Sequence, residues 1–227
     1  MLNRAAQQAQ ARKEEQTCRA AEKIKIAVLV SGGGTNLQAL LDAEKAGKLK
    51  DGEIVLVLSD RADAYALQRA QNAGKKSFCV DRTRFSSGAE REGEMRRILE
   101  ENGAELLVLA GFLSLLSKEF TCAYEGRIIN VHPSLIPSFC GKGFYGLKVH
   151  EAALAYGVKV TGATVHYVNE IPDGGKIIRQ KAVRVRNGDT PQSLQQRVMR
   201  EAEWIILPAA AQEVCVKLKK QKKRKER

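Results

Sequence analysis

"KIKIAVLVSGGGTNLQALLDAEKAG", residues 23–47, reads as a strand, a glycine turn and a helix in direct succession. The opening run is rich in Ile, Val and Leu, and the segment after the glycines has helical period and closes on Gly47, as helix C-termini often do. The unit then recurs. Strand-like runs stand at 53–59 (EIVLVLS), 76–80 (KSFCV), 105–111 (ELLVLAG) and 127–132 (RIINVH). Between them lie DAYALQRAQNAG, SSGAEREGEMRRILEENG and a shorter helical stretch around SLLSKEFTCAYEG. Such alternation predicts an α/β protein with a doubly wound, mostly parallel sheet covered by helices on both faces. Two later strands, 160–168 and 176–183, flank VNEIPDGG and are expected to add an antiparallel hairpin. The segment from DTPQSL to VCVKL reads as a closing helix that Pro208 kinks or divides.

Length and composition suit one sizeable core: 227 residues, 44% hydrophobic. The expected organisation is an extension over 1–22, one catalytic domain over 23–216, and a disordered basic tail over 217–227. Five cysteines, with no CxxC pair, read as reduced thiols of a cytoplasmic protein. No apolar run is long enough for a membrane span, and residues 1–22 lack the apolar centre of a signal peptide, so a soluble protein that is not exported is expected. The net charge of +12 is uneven. KLKKQKKRKER at the end carries eight Lys/Arg and one Glu, a net of +7, which leaves +5 for everything before it. With no aromatic residues interleaved for base stacking, this end reads as solvated, and no nucleic-acid partner is expected.

Ligands of open parallel sheets bind beyond the carboxyl ends of the strands, which singles out three segments. In SGGGTNLQAL, Gly32, Gly33 and Gly34 let backbone approach a ligand, and Thr35 or Asn36 is expected to cap a helix whose free amides suit a phosphate. The pattern is neither a P-loop nor a dinucleotide fingerprint. In RIINVHPSLIPSFCGKG, the two-residue period turns Asn130 and His132 to one side. A lone strand histidine is more often a packed core residue, but Pro133 and the glycine-rich loop after it suggest a cleft wall. In IPDGG, Asp173 either serves its own turn or lies beside His132, where it would raise the imidazole pKa and fix its tautomer. His150 and His166 have no acidic or cysteine partner at ligand spacing, so no metal site is expected.

From about Lys23 to Pro208 the chain resembles the phosphoribosylglycinamide formyltransferases, folate-dependent enzymes of purine synthesis. The resemblance rests on KIAVLVSGGGTNLQALLDA, LVLAGFLSLLS, RIINVHPSLIPSF, HEAALAYGVKVTGATVHYV, DGGKII, GDTPQSL and EAEWIILP, in that order. HPSLIP is common to the wider formyltransferase group, whereas SGGGTN points to the glycinamide ribonucleotide branch. The resemblance implies a Rossmann-like fold and transfer of formyl from 10-formyltetrahydrofolate, as co-substrate and without metal, to the amine of glycinamide ribonucleotide. It implies Asn130, His132 and Asp173 as the catalytic trio, and Gly34, Thr35, Asn36 and Glu203 as ribonucleotide contacts. Leu113, Ser114, Leu115 and Leu116 would receive the folate together with Asn130, Asn169 and Asp173. Gly88 stands where some members carry a folate-contacting Arg, with Arg84 and Arg91 as substitutes. Small-molecule substrates only, and a monomer or homodimer, are expected. A methionyl-tRNA formyltransferase or a formyltetrahydrofolate hydrolase would need a further domain, for which 227 residues are expected to leave no room. A noncatalytic nucleotide-binding module gives no reason for the trio.

Overall fold

The computed structural model describes residues 23–225; the extension over 1–22 and the last two residues lie outside the described residues. The chain runs β1 (Ile24–Val30), α1 (Thr35–Lys45), β2 (Gly52–Ser59), α2 (Tyr65–Asn72), β3 (Lys76–Cys79), α3 (Gly88–Glu101), β4 (Leu106–Leu109), α4 (Lys118–Ala123) and β5 (Ile128–His132). It continues through α5 (Leu147–Tyr156), β6 (Val160–Tyr167), β7 (Ile177–Arg184), α6 (Pro191–Val198) and α7 (Trp204–Lys225). The seven strands form one sheet in the order β3-β2-β1-β4-β5-β6-β7. The first five are parallel, and β6 and β7 are antiparallel to their neighbours, as the hairpin reading expects.

Strand β1 shows why these runs lack a polar face. Ile26, Val28 and Val30 join one apolar cluster with Leu37, Leu40, Leu207 and Val214 of α1 and α7. Ala27 and Leu29 point the other way, into a second cluster with Met95, Leu99 and Phe120 of α3 and α4. Alternate residues therefore both find apolar partners, and the period-2 polarity of a half-exposed strand never appears. The chain leaves β1 toward β2 and β3 on one side, and β4 starts the other half, so the crevice between the loops after β1 and β4 is the topological switch point. No helix of the described residues is long and apolar enough to cross a membrane.

Two expectations need correction. The closing helix is divided upstream of Pro208. α6 ends at Val198, Met199–Glu203 form a wider π turn, and α7 then passes through Pro208 unbroken. Pro208 has no N–H to offer the carbonyl four residues back, and a π turn just before it lets the backbone shift around the ring.

The basic end is helical as far as Lys225, not a disordered tail. Cys215, Leu218, Lys219 and Lys222 recur at helical spacing on one face. Cys215 is in the core and Leu218 packs against it. Lys219 Nζ lies 2.8 Å from Asp51 Oδ1, Lys222 pairs with Glu105, and Lys217 sits over the Tyr167 ring. Ending the chain after Lys217 is expected to cost about 2 kcal/mol, mostly from Leu218, and to lower Tm by roughly 4–8 °C. Thermal unfolding of the shortened chain checks this; an unaltered Tm would make the segment a solvated end after all.

Candidate active site

All three histidines of the chain are buried, two of them on adjacent strands at one end of the sheet. The β5–β6 register sets Asn130 opposite His166, with Asn130 Nδ2 3.3 Å from His166 Nε2. Asp173 reaches into the same place. Its Oδ2 is 3.5 Å from His132 Nδ1 and its Oδ1 is 3.4 Å from His166 Nε2. Of the two readings left open for Asp173, the structure favours proximity to His132. The Asx role in that loop belongs to Asn169, whose Oδ1 accepts from the Ile171 amide at 3.0 Å. The Asp173 carboxylate instead accepts from the Gly141 amide at 2.8 Å, tying the loop after β5 to the β6–β7 turn.

Carbonyl oxygens only accept, so two contacts settle which ring nitrogens carry hydrogen. His132 Nε2 donates to the Phe139 carbonyl at 2.8 Å, and His166 Nδ1 donates to the Tyr167 carbonyl at 2.7 Å. Each ring thus turns its other nitrogen to Asp173, which makes the gap between them a place to hold a proton. Phe139 (φ 49°) and Asp173 (φ 55°) are the only non-glycine residues with positive φ among the described residues, and both serve this cluster. Backbone conformations of that kind cost on the order of 1 kcal/mol or more and concentrate at functional sites.

The charge states follow from burial and neighbours. Burial holds His132 below its ordinary pKa, against the opposing pull of the Asp173 charge and the Phe139 carbonyl. Asp173 contributes with the expected sign, but the expectation of a raised His132 pKa is not met because burial outweighs it. For Asp173, burial pushes upward, and the His166 hydrogen bond, the His132 charge and the Gly141 amide together carry it below its usual value.

His150, on α5, is fully buried with neither ring nitrogen partnered, and burial followed by the repulsion of His132 brings it down to about 4. Its folded pKa is below the unfolded value of about 6.5, so between pH 6.5 and 4 the unfolded chain binds the extra proton and stability falls as pH falls. Over that window the contribution is about 3 kcal/mol. In His150→Leu, denaturation midpoints measured from pH 7 to 4 are expected to lose that part of the slope; an unchanged slope would assign it elsewhere.

The glycine loop departs from the expected cap. Neither Thr35 nor Asn36 caps α1; Gly34 does, in the left-handed region at φ 71° and with no side-chain acceptor. The first-turn amides of α1 are thereby left for a ligand. A Cβ on Gly34 would stand 2.6 Å from the Ala66 Cβ, and Arg69 Nε clamps the loop through the Gly33 carbonyl at 2.8 Å. Asn36 is used differently: its Nδ2 donates to Glu203 Oε2 at 2.6 Å. Glu203, carried by the π turn, is buried and pushed up to about 7, with the Asn36 hydrogen bond working against the shift. Gly34→Val is expected to weaken binding of a phosphate-bearing ligand at this loop at least tenfold and binding of a ligand at the cleft after β4 less than twofold, because branched side chains are excluded by both φ and Ala66. Separate titrations with the two ligands check this, and an equal loss for both would indicate a general folding defect.

Leu113, Ser114, Leu115 and Leu116 follow β4, across the switch point from the glycine loop. The Leu113 amide donates to Ser31 Oγ at 2.8 Å, and Ser114 Oγ donates to Asp60 Oδ2 at 2.5 Å while accepting from Arg91 Nη1 at 3.0 Å. Leu113 and Leu115 remain 57% and 74% exposed, an apolar shelf open to a flat ligand. Of the two arginines considered as substitutes, Arg84 is exposed and Arg91 is buried.

The sequence reading missed His166, which has the acidic partner it was thought to lack. It also missed the Phe139 carbonyl, the Gly141 amide and the pair Ser31 and Asp60 behind the shelf. Only the hairpin VTGATVHYV carried a signal, since a strand returning beside RIINVH brings a histidine near Asn130.

Residues 24–210 match the formyl transferase family. The chain belongs to that family. This formyl transferase is 39% identical over 184 residues to the phosphoribosylglycinamide formyltransferase of Haemophilus influenzae, covering 81% of this chain and 84% of that protein. It is 45% identical over 193 residues, 85% of this chain, to the trifunctional purine biosynthetic protein adenosine-3 of Gallus gallus, of whose length it spans only 18%. Among solved structures, glycinamide ribonucleotide transformylase 1 from Symbiobacterium toebii superposes with a TM-score of 0.80 at 41% identity, covering 85% of this formyl transferase and 88% of that chain.

Proposed function

We propose that the chain transfers the formyl group of 10-formyltetrahydrofolate to the amine of glycinamide ribonucleotide, releasing tetrahydrofolate. The observation that carries this reading is the meeting of Asn130, His132 and Asp173 at the carboxyl end of the sheet. A helix N-terminus that no side chain caps, across the switch point, supports it. The similarity to enzymes of that name in Haemophilus influenzae and Symbiobacterium toebii supports it further.

In this mechanism the substrate amine attacks the formyl carbon, and the carbonyl oxygen becomes an oxyanion. Asn130 Nδ2 and His132 Nε2–H are the available donors, the latter exchanging the Phe139 carbonyl for the oxyanion. The attacking nitrogen loses a proton to the His132–Asp173 pair. As the oxyanion collapses, the bond from carbon to folate N10 breaks, and N10 takes a proton back from the same pair. Asp173 stabilises the imidazolium while it exists, its charge opposing the burial that otherwise disfavours that form. Gly34, Thr35 and Asn36 would hold the ribonucleotide phosphate, and Glu203 a hydroxyl of the same substrate. Leu113 to Leu116 and Asn169 would receive the pterin. Within this reading the enzyme works in the cytoplasm on small molecules, as a monomer or homodimer.

The test is an assay of purified protein with both substrates, following tetrahydrofolate release. Absence of turnover in correctly folded protein removes the reading.

A further inference from the structure

We propose that Ser31, which opens the glycine loop, is a positioning residue for the folate shelf across the switch point and not for the phosphate at its own loop. The inference rests on the formyl-folate reading above and gives a role to a residue that the reading leaves without one.

Ser31 follows the last residue of β1 and is 2% exposed. It makes two hydrogen bonds across the switch point, both to the turn after β4. Its amide donates to the Gly111 carbonyl at 3.1 Å, and its Oγ accepts from the Leu113 amide at 2.8 Å. Gly111, in the left-handed region at φ 75°, bends the chain so that Leu113 comes back to the serine. Leu113 is thereby pinned at the base of the shelf. Beyond it, among the described residues, the backbone amides and carbonyls of Ser114, Leu115 and Leu116 pair with no other backbone group. Such an edge can exchange hydrogen bonds with a flat heterocycle, and it binds best when its peptide planes are already held at one angle. The bond to Ser31 sets that angle for the first of them. Ser114 has its own tie, to Asp60 Oδ2 at 2.5 Å, but that bond joins two side chains and leaves the backbone free to turn.

The glycine loop does not depend on the serine hydroxyl. The Gly32 carbonyl accepts from the Ala66 amide at 3.0 Å and the Gly33 carbonyl from Arg69 Nε at 2.8 Å, so both of these anchors stand on α2. Gly34 then caps α1 with no side-chain acceptor. Removing Ser31 Oγ therefore leaves the phosphate side of the crevice as it was and frees the backbone on the pterin side. The effect is crossed: a substitution within SGGGTN is felt by the other substrate.

The experiment measures, by calorimetry, separate binding of tetrahydrofolate and of glycinamide ribonucleotide to wild type, Ser31→Ala and Ser31→Thr, with a melting curve for each protein. Ser31→Ala takes away one oxygen and leaves the Leu113 amide without its acceptor, which is expected to weaken tetrahydrofolate about tenfold and the ribonucleotide less than about twofold. In turnover, KM for 10-formyltetrahydrofolate should rise by the same factor with kcat within about twofold of wild type. Ser31→Thr keeps the hydroxyl and should bind tetrahydrofolate within about threefold of wild type. Unchanged tetrahydrofolate affinity in Ser31→Ala, an equal loss for both ligands, or the same loss in Ser31→Thr as in Ser31→Ala would overturn the proposal. The wild-type protein gives a check that needs no variant. Its Leu113 amide should exchange with solvent more slowly than those of Ser114, Leu115 and Leu116, and equally fast exchange would remove the bond on which the proposal stands. Wild type that binds neither ligand would remove the formyl-folate reading itself, whereas wild type that binds both, with Ser31→Ala unaltered, removes this inference alone.

Discussion

His132→Ala is expected to lower formyl transfer by about 10²–10⁴-fold while the chain keeps its fold, the range typical for loss of a positioned acid or base. In the proposed mechanism the imidazole both gives a hydrogen bond to the oxyanion and passes a proton between the two amines. Removing it leaves the Phe139 carbonyl without its donor and opens a small void, a cost of about 2–4 kcal/mol. Two apolar clusters on opposite faces of the sheet remain intact. Circular dichroism and a melting curve should therefore show a folded, somewhat less stable protein, and steady-state rates should show the loss. Turnover within a few-fold of wild type would make His132 a packed core residue, the bland alternative for a strand histidine.

The second large effect is expected for Asp173→Asn, a drop in turnover of about 10²-fold or more at neutral pH. The sign of the accompanying titration change follows from the resting site. Burial already holds His132 below its ordinary pKa, and the Asp173 charge opposes that shift. Without the charge the opposition disappears, so the His132 titration moves to still lower pH and the imidazolium becomes harder to form during the reaction. Asn preserves the size of the side chain, so the effect is of charge rather than packing. NMR titration of His132 in both proteins, with pH profiles of turnover, measures both parts. Superimposable titration curves would leave Asp173 as a residue of its turn and nothing more.

The inner strands β1, β2, β4 and β5 were legible because burial on both faces makes them nearly continuous apolar runs, punctuated by Gly or charged residues where the chain leaves the sheet. The pair Asn130 and His132 was legible for a local reason, the two-residue period of a strand. His166 was not, because its place depends on the antiparallel register of β5 and β6, and an irregularity between Val165 and His166 lies on its other edge. The cap of α1 escaped for a backbone reason. Thr35 and Asn36 have the composition of caps, but the left-handed turn at Gly34 puts that residue in the position and frees Asn36 for Glu203. At the C-terminus, the density of lysine hid the helical recurrence of Cys215, Leu218, Lys219 and Lys222.

The mooring of that last helix also decides what the positive charge of the molecule can do. Asp51 and Glu105, which hold Lys219 and Lys222, stand immediately before β2 and β4, at the amino ends of the strands. The proposed catalytic cluster lies at the carboxyl ends. A seven-residue strand such as β1 spans about 20 Å, more than two screening lengths of about 8 Å at physiological ionic strength. The lysine-rich end therefore contributes little to the field at that crevice. Among the described residues, the lysine-rich face is turned away from the candidate site.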